Sequence, residues 1–94
     1  MNTIKDKGNL TAKSNKIILG LGGVDNIVEG HIDNCATRLR IQVKNMEYVN
    51  EKLLRRQGAL GFIRLQDNHI QVVFLNVHTI ADEIRRISAL HQST

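Results

Sequence analysis

The chain is short of the residues on which many site chemistries depend. It has one cysteine, Cys35, so an intramolecular disulfide and a Cys-x-x-Cys redox pair are both excluded. A tetrahedral zinc site would need His31, His69, His78 and His91 to converge from distant segments. Aromatic residues are nearly absent: Tyr48, Phe62 and Phe74 are the whole supply of stacking platforms. That argues against nucleic acid as a partner, even though the net charge of +4 favours anions. The arginine pairs Arg55-Arg56 and Arg85-Arg86 lie in helical patterns and read as solvated faces. The stretch Met1–Gly8 has no apolar segment of the secretory kind, and no run approaches the length of a membrane span. These absences leave a cytoplasmic domain with no metal and no cofactor as the expectation.

What is present is one domain's worth of chain. The 94 residues suffice for a single core but not for a deep cavity. Residues 1–12 are polar without periodicity and are expected to be a flexible leader or linker remnant, with a single folded domain over 13–94. A helix is expected from Ser14 or Asn15, burying Ile17, Ile18 and Leu21 and stopping at Gly22-Gly23. Asn26–Ile32 reads as a strand weakened at Gly30, and Asp33-Asn34 as a turn. Leu39, Ile41 and Val43 then alternate with Arg38, Arg40, Gln42 and Lys44, the clearest strand in the chain. Its period of two sends the apolar set inward and puts Arg38 and Arg40 together on the opposite face.

A helix over Asn50–Gln57, capped by Asn50 and closed by Gly58, is expected to bury Leu53 and Leu54. Phe62–Gln66 and His69–Leu75 form two strands joined at Asp67-Asn68. A final helix places Val77, Ile80, Ala81, Ile84, Ile87 and Leu90 on one stripe, with Asp82, Glu83, Arg85 and Arg86 outside it. The expected fold is therefore α+β: a two-layer sandwich of four mainly antiparallel strands with three helices on one face, in the order α-β-β-α-β-β-α.

Cys35 opens the run Cys35-Ala36-Thr37-Arg38-Leu39-Arg40. A lone cysteine is usually a small buried hydrophobe. Here its company is polar, and guanidinium groups beside a thiol favour the reactive thiolate. Arginine is also the side chain best shaped for phosphate oxygens. Together they suggest a cysteine that handles phosphate. A phosphatase loop of the cysteine type needs an arginine six positions after the thiol; Ile41 stands there, so that mechanism is excluded. A Cys–His dyad would need a histidine nearby, and His31 is the nearest in sequence.

Leu21-Gly22-Gly23-x-x-Asn26-Ile27, then Ile32-Asp33-x-Cys35-x-Thr37-Arg38-Leu39-Arg40, resembles the IIB domain of the glucose–sucrose family of bacterial sugar phosphotransferase systems. The resemblance continues through Val49-Asn50, Leu54, Gly58-Ala59-x-Gly61 and Gln71-Val72, over roughly residues 15 to 87. It implies that Cys35 takes a phosphoryl group from a phosphohistidine of a IIA domain or protein. It further implies transfer to a sugar held by the membrane-embedded IIC domain, with Thr37, Arg38 and Arg40 serving the phosphocysteine. The domain would be a monomer by itself, at the inner face of the membrane through IIC. Against the family pattern, Gly30-His31 looks like an insertion that lengthens or bulges the first strand. Gln57 replaces an apolar residue, and Leu75-Asn76 a glycine. The alternative is a non-catalytic IIB-like domain that binds a transporter or regulator.

Overall fold

The computed structural model describes residues 3–92, with side chains over 9–28 and 32–91. Helix α1 (Thr3–Gly20) is followed by strands β1 (Ile27–Asn34) and β2 (Arg38–Val43). Helix α2 (Glu51–Arg56), strands β3 (Gly61–Arg64) and β4 (His69–Val73), and helix α3 (Val77–Gln92) complete the order. The expected α+β sandwich is thus observed. Its four strands are antiparallel throughout, in the spatial order β1-β2-β4-β3.

The alternation in β2 decides the layering. Leu39, Ile41 and Val43 are buried, and they face the same core as Ile70 and Val72 on β4. Ile17, Ile18 and Leu21 of α1, Leu54 of α2, and Val77, Ile80, Ala81 and Ile84 of α3 close over them. Each such Val, Leu or Ile side chain contributes roughly 1.5–3 kcal/mol through burial. The opposite sheet face is left without a covering layer, and Arg38 and Arg40 stand on it.

Local chemistry sets the boundaries. The Gly23 N–H donates to the Ile18 carbonyl at 2.9 Å and the Gly22 N–H to Leu19 at 3.0 Å, ending α1 in a Schellman arrangement. Gly22 has φ +105, and a Cβ there would lie 2.4 Å from Asn26 Nδ2, so only glycine fits. Asn50 Oδ1 accepts from the Leu53 N–H at 3.1 Å and caps α2. Asp67 and Asn68, with φ of 58 and 59, make the type I′ turn their identities suggested.

Several expectations give way, among them Leu53, which is only partly buried and lies outside the core. The first helix begins at Thr3, not near Ser14. Two long-range contacts tie the helix down ahead of Ser14: Leu10 packs on the core, and Thr11 Oγ1 donates to Glu83 Oε2 at 2.6 Å. Ser14 is wholly buried in mid-helix and caps nothing. Glu83, expected outside the stripe, is only 8% exposed because Thr11 and a two-pronged contact from Arg86 satisfy its carboxylate. That hydrogen bond to Glu83 also raises the Arg86 guanidinium pKa above its ordinary value. Leu90 ends the stripe exposed rather than buried. Finally, Asp33 and Asn34 belong to β1 rather than to a turn. The β1–β2 register slips between Ile27 and Ile32, where β1 has more residues than its partner, as the extra Gly30-His31 suggested.

Candidate functional site

Cys35 occupies the first position of the tight link between β1 and β2, and its thiol is free and exposed. Both sides of this link are anchored. Asn34, paired with Leu39, turns its amide toward α3. There Arg85 Nη2 donates to Asn34 Oδ1 at 2.7 Å and Arg85 Nε to the Ile32 carbonyl at 3.0 Å. Asn34 Nδ2 sits 2.6 Å from His78 Nδ1. Because arginine can only donate, the amide nitrogen of Asn34 faces the histidine, and His78 Nδ1 accepts. On the far side, the Cys35 N–H donates to the Arg38 carbonyl at 2.8 Å and the Phe74 N–H to the Thr37 carbonyl at 2.9 Å. The link is held at its ends and open in its middle.

The middle is where the polar capacity remains. The N–H groups of Ala36 and Thr37 donate to no group among the described residues. These two donors are left to solvent or to a bound anion. Cys35, Ala36, Thr37, Arg38, Arg40 and Gln71 line one open depression of ≈ 210 Å³. Neither Arg38 nor Arg40 pairs with a carboxylate among the described residues. Arg38 is held instead by a neutral group, its Nη1 donating to Gln71 Oε1 at 3.2 Å. Two arginines without an ion pair among the described residues, two amides without a described partner and an exposed thiol therefore share a shallow surface that a flat partner could reach. Such a seat suits a group carrying negative charge on several oxygens.

The four site residues expected from sequence, Cys35, Thr37, Arg38 and Arg40, are thus brought to one place. Of the histidines, the His31 side chain lies outside the described residues. His78 enters the surroundings of the link through Asn34, which sequence reading did not anticipate. Gln71 was missed as a site residue as well. Its sequence signals are the alternation of β4 and its place in the Gln71-Val72 pair of the resemblance, and the register sets it opposite Arg40, across the strand pair. Among the described residues no three His, Cys, Asp or Glu side chains gather as metal ligands would.

Comparison with known proteins places this geometry. Residues 15–50 match the family described as phosphotransferase system, EIIB. The chain is 44% identical over 75 residues to the N-acetylglucosamine-specific EIIB component of Streptomyces coelicolor, covering 80% of this chain and 90% of that protein. It is 44% identical over 69 residues to the maltose-specific EIICB component of Escherichia coli, covering 72% of this chain. Against the N-acetylglucosamine-specific EIICB component of Bacillus subtilis the identity is 39%, over 89% of this chain. The chain spans only 13% and 17% of the lengths of those two larger relatives. Among solved structures, one domain of the phosphotransferase-system IIabc component from Clostridium difficile superposes with a TM-score of 0.58 at 26% identity. That match covers 88% of this chain and 82% of the other. The relatives, the fold and the Cys-x-Thr-Arg-Leu-Arg link agree, and the chain belongs to the IIB family of sugar phosphotransferase systems, in its glucose–sucrose branch.

Proposed function

We propose that this domain is a phosphoryl carrier that works through phosphocysteine at Cys35. The observation that supports it most is the exposed thiol sharing one depression with two amides and two arginines, Arg38 and Arg40, of which the amides have no partner and the arginines no ion pair among the described residues. In the first step the Cys35 Sγ attacks the phosphorus of a phosphohistidine on a IIA domain or protein. The S–P bond forms, the N–P bond breaks, and the imidazole nitrogen keeps the electron pair and takes up a proton in exchange for the one the thiol gives up. In the second step a sugar hydroxyl held by a IIC membrane domain attacks the same phosphorus. The O–P bond forms, the S–P bond breaks, the thiolate returns, and the hydroxyl proton passes to a base or to water.

The residues divide these tasks. Phosphoryl transfer depends on positioning and on charge at the three equatorial oxygens. Arg38 and Arg40 supply that charge, while the Thr37 hydroxyl and the Ala36 and Thr37 amides supply hydrogen bonds that fix the phosphate. A carrier must both accept and donate, so it gains from an open seat that two partners can approach in turn. No helix among the described residues is long and apolar enough to cross a membrane. Contact with the membrane would then come through IIC, on its cytoplasmic side, and choice of sugar would rest with IIC. The names of the EIICB and EIICBA relatives, in which B stands in one polypeptide with C or with C and A, support both partners.

The deciding experiment incubates the chain with phosphoenolpyruvate, the general transfer proteins and several IIA partners, followed by peptide mass analysis. One added phosphoryl mass on the peptide holding Cys35 is expected, absent from Cys35→Ser. Identical masses for wild type and Cys35→Ser with every IIA partner would sink the carrier reading and favour a non-catalytic interaction domain.

A further inference from the structure

We infer that Gln71 is a positioning residue of the Cys35 site: its buried carboxamide presents Arg38 to the incoming anion without neutralising it. The inference rests on the carrier reading for its biological meaning, and on the geometry of the sheet for its substance. Gln71 is 6% exposed, between Ile70 and Val72 in β4, where the core fixes its backbone. It stands opposite Arg40 in the β2–β4 register, and its Oε1 accepts from Arg38 Nη1 at 3.2 Å. It lines the same depression as Cys35, Thr37, Arg38 and Arg40. One buried side chain on a central strand therefore touches the guanidinium that flanks the thiol.

The chemical identity of that acceptor matters. Arginine has five N–H donors, and the Gln71 contact uses one at a modest distance. The others stay available for phosphate oxygens. A carboxylate at the same place would hold Arg38 through a two-pronged, charge-assisted pair and cancel its charge. An apolar residue would let the long side chain sample many rotamers. Other arginines of this protein show the contrast: Arg64 is paired with Glu51, Arg85 with Asp82 and Arg86 with Glu83. Arg38 is steered by a neutral amide, and Gln71 Nε2 donates to no group among the described residues.

The test separates positioning from folding and from the carrier reading. Cys35 is alkylated with iodoacetate, an anion, and with iodoacetamide, its neutral counterpart, and the ratio of the two rates is measured. In each case the Sγ–C bond forms as iodide leaves. Arg38→Ala is expected to lower the ratio about threefold to tenfold, and Gln71→Met by a similar factor, since a displaced charge no longer meets the anion. Gln71→Glu is expected to lower it further. In the Arg38→Ala background, Gln71→Met should change the ratio no more, because its effect passes through Arg38. A wild-type ratio in Gln71→Met, or an undiminished effect in the double variant, overturns the inference. Circular dichroism confirms that each variant is folded, and Gln71→Leu, neutral and without an acceptor, serves should Gln71→Met fail to fold. Phosphoryl uptake from a phosphorylated IIA is followed in the same proteins. No uptake by wild type together with the expected ratios overturns the carrier reading alone; uptake with unchanged ratios overturns the role of Gln71 alone.

Discussion

The β1–β2 hairpin has two ends, and they treat polar groups in opposite ways. At the end away from the thiol, Asn26 is 5% exposed and fully engaged. Its Nδ2 donates to the Leu21 carbonyl at 2.7 Å and to the Asn45 carbonyl at 3.0 Å, while its Oδ1 accepts from the Asn45 N–H at 2.9 Å. The Lys44 N–H adds a bond to the Asn26 carbonyl at 2.7 Å. At the thiol end, Ala36 and Thr37 leave their amides free and Arg40 has no carboxylate partner among the described residues. One end spends its hydrogen-bonding capacity on the fold, and the other leaves it unspent. A buried polar group left without partners costs roughly 1–3 kcal/mol, whereas an exposed one is served by water. Only an exposed link can keep donors in reserve at little cost to stability.

That division can be broken in graded ways. Cys35→Ser should abolish phosphoryl uptake in an assay with phosphorylated IIA, while the urea midpoint stays at the wild-type value. Next, Arg38→Ala and Arg40→Ala should each slow uptake on the order of a hundredfold, read by rapid quench. Their unfolding free energies should stay within about 0.5 kcal/mol of wild type. The other end should show the reverse. Asn26→Ala should cost about 2–3 kcal/mol in urea denaturation, because it strands two carbonyls and an amide, with uptake preserved at temperatures where the protein is folded. An uptake defect in folded Asn26→Ala would mean that the two ends are coupled through β2. Smallest of all, Arg64→Ala removes an exposed pair with Glu51 and should shift stability by no more than about 0.5 kcal/mol. It calibrates the noise against which the others are read.

The strongly patterned parts of this molecule were legible from sequence. The alternation of Leu39, Ile41 and Val43, the Asp67-Asn68 turn, the Gly22-Gly23 stop and the Asn50 cap are local signals with local causes, and each appears as expected. Cys35, Thr37, Arg38 and Arg40 are neighbours in the chain, so their convergence needed only the correct strand. What stayed hidden depends on contacts between distant positions. The amino-terminal half of α1 has little apolar pattern and is tied to α3 through Thr11 and Glu83. Glu83 reads as a surface residue until that hydroxyl and Arg86 are set beside it. The role of Gln71 depends on a strand order that places β4 next to β2, which no local pattern encodes.

The register slip in β1 has a further consequence. An outermost strand with free backbone groups is a template on which another chain can build, and folded proteins blunt such strands by shortening or distorting them. Here β1 is interrupted between Ile27 and Ile32, and the opposite margin, β3, is only four residues long. Neither margin offers a long regular ladder. A sheet with one open face and margins of this kind is in this way protected from stacking edge to edge with itself.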